Sequence, residues 1–180
     1  MTSGFRPTWL AVPVVLVLVG SHAGGQVFVE RGAPPSSLRD LYAKAEMIIV
    51  GSVVGVSPFV PAATQPPLYQ PMTKYSLLVT EVIKPGRDVA VGTTVDVVQI
   101  GTGNRDTEPG LETLFQEGDE YVLAIVWWPR HEVFQLQFGA EGVFQLRDGL
   151  VWPRGISALS VKHRQSDGNA FLDRLRALGR

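Results

Sequence analysis

The stretch GDEYVLAIVWWPRHEVFQLQFGAEGVFQL, residues 118–146, determines the fold of this chain. It opens with an acidic turn and continues into an unbroken apolar run, residues 121–128, that is rich in β-branched and aromatic side chains. The run is too short for a typical amphipathic helix and has the composition of a strand. We therefore predict a strand that is covered on both faces.

The segment after this run has the pattern of a second strand. After a turn at residues 129–132, apolar side chains alternate with polar ones over residues 133–138, which predicts a half-buried strand paired to the first as a hairpin. The alternation returns in Phe144 and Leu146, and Asp148-Gly149 is a tight-turn signal before residues 150–152. These segments predict a meander of short strands in a β-barrel-like domain.

Composition limits the remaining possibilities. With 180 residues, 45% of them hydrophobic and 18% charged, the chain can bury one sizeable core, and we expect one domain. The 16 basic and 17 acidic residues nearly balance, which argues against a nucleic-acid partner. Cysteine is absent, and this excludes disulfides, thiolate metal sites and thiol nucleophiles.

The first residues have the pattern of an export signal. Arg6 precedes a continuous apolar run at residues 9–19, and small residues at Ser21 and Ala23 fit a cleavage site. A membrane anchor is the alternative, but the run is about half of the roughly 20 residues that a spanning helix needs. We predict a signal peptide at residues 1–23, an extended lead at 24–35, a secreted or periplasmic protein, and no stable membrane span after signal removal.

The remaining chain predicts a single domain, residues 36–180. Ser36 or Ser37 can cap a short helix that ends near residue 46, and strands follow at residues 47–56, 75–83 and 93–100. In the last of these the valines change phase, which indicates either two covered faces or a bulge. Residues 154–165 fit no period, and we expect them to be irregular or partly extended. An apolar stripe then predicts a C-terminal helix at residues 167–178 that packs on the barrel.

Two long loops separate these strands. Residues 57–72 contain five prolines, and residues 101–110 are rich in glycine and polar side chains. Phe59 and Tyr69 in the first loop could form a contact surface, although aromatic side chains in such loops also fold back over the end of a barrel.

Three segments resemble tissue-inhibitor-of-metalloproteinase-like (TIMP-like) and netrin-like domains. They are LRDLYAKAEMIIVGSV at residues 38–53, the valine-containing strand that ends in IKPG at residues 83–86, and GDEYVL at residues 118–123. The resemblance covers residues 38–146 in order and spacing. It implies a mainly β, OB-like (TIMP-like) barrel of five to seven strands, with a short N-terminal helix and a C-terminal helix packed on it.

The inhibitory chemistry of that family does not carry over. Its inhibitors chelate the protease's zinc through an N-terminal cysteine, whereas this chain has no cysteine and its predicted mature end is Gly24. No inhibitory residue is therefore transferred from the family.

A search for catalytic patterns gives no local constellation. His131 and His163 follow the signal segment, and neither stands in a metal-binding His-x-x-x-His or His-Glu-x-x-His arrangement. No Gly-x-Ser-x-Gly elbow is present, and the glycines at 101 and 103 lack the sequence of a phosphate-binding loop. The acidic pairs Asp119/Glu120 and Glu112/Glu117 are expected in solvated turns. We assign no catalytic residue, metal ligand or cofactor.

Aromatic side chains are the remaining candidates for a binding site. Trp127, Trp128 and Trp152 could stack on a ligand, with Arg130 near them as a hydrogen-bond donor. Packing in the core or at a sheet edge is the alternative for each tryptophan.

We therefore expect a secreted, non-catalytic binding or interaction module of the bacterial envelope or extracellular space. Its candidate ligand-binding residues are Phe59, Tyr69, Trp127, Trp128, Arg130 and Trp152, and its partner is a protein or another envelope ligand. The alternatives are a metal-dependent or carboxylate-based hydrolase, built from scattered carboxylates and His131, and a protease inhibitor.

Overall fold

A computed structural model describes residues 33–60, 72–100 and 115–180 of the chain. The predicted signal peptide at residues 1–23, most of the extended lead, Tyr69 and the predicted loop at 101–110 lie outside these ranges.

The described chain is mainly β, with seven strands and three α-helices. The strands are β1 Met47–Phe59, β2 Met72–Lys84, β3 Thr94–Ile100, β4 Glu120–Trp128, β5 Val133–Leu136, β6 Val143–Arg147 and β7 Leu150–Pro153. The helices are α1 Leu38–Lys44, α2 Ala158–His163 and α3 Gly168–Ala177, and a 3-10 turn occupies Gly139–Gly142.

Five strands of the mixed sheet form a closed ring. The pairing order is β1-β2-β3-β5-β4, and β4 pairs again with β1. All neighbours in the ring are antiparallel except β3 and β5, which run parallel and pair Val97 with Phe134. β6 pairs with β4 and β7 pairs with β6, so these two strands extend the sheet beyond the ring.

The strands of the ring are strongly staggered. Following paired residues from Ser57 leads through Lys74, Val98 and Gln135 to Val126 of β4. Val126 lies one residue beyond Ile125, which pairs with Met47 at the other end of β1. The path around the ring starts at Ser57 and returns to β1 near Met47, about ten residues away. Closing a sheet into a ring requires a stagger of this kind. The end of β1 is therefore carried toward the β4–β5 turn.

Two apolar cores lie on the two faces of this sheet. The inner core fills the ring and includes Tyr121, Leu123 and Ile125 of β4. The outer core lies between the sheet and the helices and includes Val122 and Ala124 of the same strand. The prediction that the apolar run is covered on both faces is confirmed for residues 121–125, while residues 126–128 are half-buried.

β1 is longer than predicted, and it bends. It continues past residue 56 through Pro58, which pairs with Thr73, so residues 57–59 belong to a strand and not to the predicted loop. Register shifts in its pairing with β2 fall at Gly51 and next to Gly55. A Cβ atom at Gly51 would lie 3.1 Å from the carbonyl oxygen of Leu78, so glycine allows this close approach of the two strands.

The hairpin of β4 and β5 is confirmed, but the predicted meander is wrong. β6 does not pair with β5; β5 and β6 lie end to end along the same edge of β4. β5 ends at Leu136, two residues early, and Gln135 is buried although its polarity indicated an exposed position. The ring explains the position of β6, because β3 and β4 occupy the two edges of β5.

In β3 both faces are covered, which resolves the phase change among its valines. Val97 and Val98 are both buried, and the pairing of β3 with β2 runs without a register shift. Val97 lies in the inner core, and Val98 points to the opposite face and is 2% exposed, so protein covers both faces of β3 at these two positions.

The sequence predicted the first and last helices of the domain but not the helix between them. Ser37 caps α1, and Asp167 caps α3, whose Phe171 and Leu175 are fully buried. The prediction that residues 154–165 are irregular or partly extended is wrong, because they contain α2. This helix has only six residues, and the carboxylate of Glu141 supports its start by accepting hydrogen bonds from the Ile156 and Ser157 amides. Because Glu141 lies fifteen residues before Ile156, no local sequence pattern predicts the start of α2.

Candidate functional site

The β4–β5 turn and the end of β1 bring aromatic rings together. The ring of His131 lies 4.0 Å from that of Trp128 and 6.2 Å from that of Phe59, measured between centroids. All three side chains are half-buried, and Arg130 between them in sequence is exposed. We call Phe59, Trp128, Arg130 and His131 the turn surface.

Each member of the turn surface is positioned by its strand. Phe59 is the last residue of β1, and Trp128 is the last of β4. The turn between β4 and β5 is tight, and Glu132 takes a positive φ of 53° as the chain enters β5. The stagger of the ring brings these chain segments side by side, which local sequence patterns do not show.

The imidazole of His131 is neutral at neutral pH. Partial burial and the neighbouring Arg130 charge lower the pKa of His131 below its usual value. It therefore acts here as an aromatic ring with one donor and one acceptor nitrogen, and it gains charge only in acid. The sequence predicted an exposed turn position for His131 and did not indicate its ring contacts.

Trp127 lies on the opposite face of β4 from Trp128. Its ring packs against the inner core, 4.9 Å from the Phe134 ring, and the guanidinium of Arg87 stacks over it at 4.1 Å. The backbone amide of Trp127 donates to the Glu46 carboxylate at 3.3 Å. Trp127 therefore closes an end of the inner core and does not share a surface with Trp128.

Trp152 stands apart from both. It lies on β7 beside Gln145 of β6, outside the ring, and Arg147 lies 6.0 Å from the centre of its ring. Its indole nitrogen is buried without a hydrogen-bond partner among the described residues. The structure thus does not gather the three tryptophans into one groove.

A polar network that the sequence did not reveal lies at the other end of β4. The carboxylate of Asp119 accepts from the Gln145 amide at 2.6 Å and from the Tyr121 hydroxyl at 3.1 Å. Arg154 donates to Gln145 at 2.8 Å. Burial raises the pKa of Tyr121, although its hydrogen bond with Arg154 opposes the rise, so the phenol stays protonated and donates. This network fixes the start of β4.

The carboxylates and the histidine of the hydrolase alternative are not brought together. Asp119 and Glu120 stand at the start of β4 and His131 follows its end, so roughly 27 Å of strand at about 3.3 Å per residue separates them. Glu120 accepts from the hydroxyl of Thr80 at 3.2 Å. Within residues 33–60, 72–100 and 115–180, no group of three or more metal-ligating side chains is arranged to hold an ion.

Tyr69, the remaining candidate from the sequence, and Glu112 lie outside the described residues. Of the six candidates, the structure brings together Phe59, Trp128 and Arg130, and it places Trp127 and Trp152 elsewhere.

Comparison with known proteins gives no further assignment: no protein-family model matches the chain, and no curated protein matches it. Among the helices of the described ranges, none combines the length and the apolar character needed to cross a bilayer.

Proposed function

We propose that the chain is a non-catalytic binding module with an OB-like barrel that acts outside the cytosol. The closed ring supports this fold assignment, since an OB barrel has five strands in a Greek-key arrangement. The stagger of about ten residues in one circuit also supports a closed barrel. The TIMP-like resemblance of residues 38–146 agrees with this assignment.

The turn surface is the observation that carries the binding function. OB folds bind ligands at the face of strands 2 and 3 and with the loops between strands 1 and 2 and strands 4 and 5. Here the end of β1 and the β4–β5 turn meet through the rings of Phe59, Trp128 and His131. In the OB-like fold proposed here, these half-buried rings and the exposed Arg130 lie where OB folds bind ligands, and this supports a binding function.

A protein is the partner class that the turn surface favours. Tryptophan and arginine are enriched among the residues that dominate the free energy of protein–protein binding. The aromatic rings are held against one another, so ordering them on binding costs little side-chain entropy. The balanced charge of the chain gives no support for a polyanionic partner.

The export pattern at residues 6–23 supports action in the periplasm or outside the cell. N-terminal sequencing of exported protein should give Gly24 or a near neighbour. An intact Met1 in a cytosolic fraction would contradict this part of the proposal.

Site-specific photocrosslinking tests the binding function. A benzoylphenylalanine replaces Trp128 in the mature chain, and the same probe replaces Ile156, which is 86% exposed and lies outside the turn surface, as the matched control. In bacterial envelope extract we expect a protein adduct from position 128 and none of the same mass from position 156. Excess unlabelled wild-type chain and Ile156→Ala should both compete, whereas the double variant Trp128→Ala/His131→Ala should not.

The proposal fails if position 128 gives no adduct, or if both positions give the same one. Competition by the double variant at wild-type strength would also overturn it. An adduct that resists proteases and is removed by glycosidases would show that the partner is an oligosaccharide and not a protein.

A further inference from the structure

The three helices line an open cleft at the edge of the outer core. Its volume is about 310 Å³, at the lower end of the range of roughly 300–1,000 Å³ for small-molecule sites. All three helices contribute to its lining, which consists of Ser37, Leu38, Arg39, Leu159, Lys162, His163, Arg174, Ala177 and Leu178. The cleft is separate from the turn surface, so a ligand bound in it is independent of the proposed function.

The charge of the cleft is one-sided. Arg39, Lys162 and Arg174 are exposed, one from each helix, and none of the nine lining residues is acidic. Within the described ranges, none of these three cations is in an ion pair. The two acids next to them in sequence already have partners, because Asp40 pairs with Lys44 and Asp173 with Arg176.

The inner part of the cleft is apolar. Leu159 is fully buried at its base, and Leu38 and Leu178 are partly buried at the edge of the outer core. His163 is 4% exposed and stacks edge-on against Phe171 at 5.2 Å. The cleft can therefore contact one ligand both with positive charges and with apolar side chains.

We propose that this cleft binds a small anionic amphiphile, a molecule with one carboxylate or phosphate headgroup and a short apolar chain. The headgroup lies among Arg39, Lys162 and Arg174, where charge-assisted hydrogen bonds form. The apolar chain lies against Leu159 and covers the partly buried Leu38 and Leu178, whose remaining surface it removes from water. The small volume selects a short chain and excludes a bulky lipid.

His163 provides a built-in reporter of occupancy. Burial, together with the charges of Lys162 and Arg174, lowers the pKa of His163. An anionic headgroup between those cations offsets their charge, so binding should raise the pKa of His163 toward its usual value. A neutral ligand with the same chain should not.

Calorimetry on the mature chain with five probes tests the proposal. Octanoate and octyl phosphate should bind, whereas octan-1-ol and octylamine, which keep the chain but change the charge, should bind at least about tenfold more weakly. Inorganic phosphate tests the headgroup alone and should bind weakly for lack of the apolar chain. Comparing octanoate with octyl phosphate identifies which headgroup the cleft prefers.

Charge variants locate the site. Lys162→Gln/Arg174→Gln should weaken octanoate binding about tenfold or more. Arg164→Gln removes an exposed charge adjacent to α2 that does not line the cleft, and it should bind as wild type. All these side chains are exposed, so the variants are expected to fold. NMR titration of the His163 ring should show the rise in pKa with octanoate and none with octan-1-ol.

No binding of octanoate or octyl phosphate, equal binding of octylamine, or equal loss in Arg164→Gln would overturn the proposal. An unchanged pKa of His163 at saturating octanoate would also overturn it, because it would place the ligand elsewhere. None of these outcomes bears on the turn surface.

Discussion

At the scale of single residues, Ile125 packs in the inner core at a junction of ring strands. It is fully buried in the inner core and pairs across β4 with both Met47 of β1 and Leu136 of β5. Ile125 is therefore the position of β4 at which both neighbouring ring strands, β1 and β5, pair with it.

Ile125→Ala should reduce the free energy of unfolding by about 2–5 kcal/mol, because it leaves a cavity in a closed core that cannot collapse freely. Val54→Ala is the control: Val54 is 48% exposed on β1, and its loss should cost under about 1 kcal/mol. Urea denaturation of both variants measures the difference. Equal costs would mean that β4 is not enclosed.

His163 makes stability depend on pH. Its pKa is lowered in the folded chain, chiefly by burial and then by Lys162 and Arg174. The unfolded chain binds a proton near the ordinary pKa of about 6.5, and the folded chain does so only at lower pH. The stability due to neutral His163 is therefore present above pH 6.5 or so and is lost as the pH falls through the folded pKa.

From this sign we expect the melting temperature of wild type to fall between pH 7 and pH 5, and the fall to be smaller in His163→Gln. His131→Gln is the matched control. His131 is more exposed than His163, so its substitution should reduce the pH dependence of the melting temperature less. A slope unchanged in His163→Gln would show that another group controls it.

At the scale of elements, Lys84 joins β2 to the end of α1. Its ammonium group donates to the carbonyls of Tyr42, Ala43 and Ala45, which lie at the C-terminal end of α1. The last carbonyls of a helix have no partner inside it and carry partial negative charge, so a cation placed there stabilises the helix.

Lys84→Met keeps most of the apolar stem and removes the three donors. We expect a loss of about 1–2 kcal/mol and faster amide exchange in α1. Lys74→Met, which breaks only the half-exposed ion pair with Asp96, should cost under about 1 kcal/mol and leave α1 unchanged. Similar exchange profiles for the two variants would contradict this role of Lys84.

Gly155 allows Glu141 to approach α2. A Cβ atom at position 155 would overlap the carboxylate group of Glu141. That carboxylate also accepts from the Ile156 amide at 2.8 Å and the Ser160 hydroxyl at 2.9 Å, and these and other hydrogen bonds keep its pKa low despite partial burial.

Gly155→Ala should displace Glu141 and cost about 1–2 kcal/mol through the lost support of α2. Because the two changes act on the same contacts, Gly155→Ala/Glu141→Ala should cost little more than Glu141→Ala alone in chemical denaturation. Additive costs would mean that Gly155 acts independently of Glu141.

At the scale of the whole molecule, the sequence predicted single strands and helices. It did not predict the strand pairings that depend on closure of the ring. The apolar run at residues 121–128 predicted β4, a serine cap predicted α1, and an apolar stripe predicted α3. Closure through β3 and β5 depends on residues far apart in sequence, so no period shows it. The same closure occupies both edges of β5 and leaves β6 to pair with β4.

The site was predictable to the same degree. A predicted loop suggested Phe59, and the end of the apolar run suggested Trp128. Their meeting through His131 depends on the stagger of the ring. The separation of Trp127 from Trp128 follows from strand alternation, but the choice of Trp127 as the inward side chain depends on its pairing with Phe134 of β5, which the sequence does not show.

Closure of the five strands into a ring carries the end of β1 to the β4–β5 turn, and the turn surface depends on it. Inter-proton NMR contacts in the mature chain report on this closure. We predict contacts between Val97 and Phe134 across the parallel pair, and between the rings of Phe59 and His131. If both sets are absent and the β3 amides facing β5 exchange as freely as those of an open edge, the ring is not closed and the turn surface does not form.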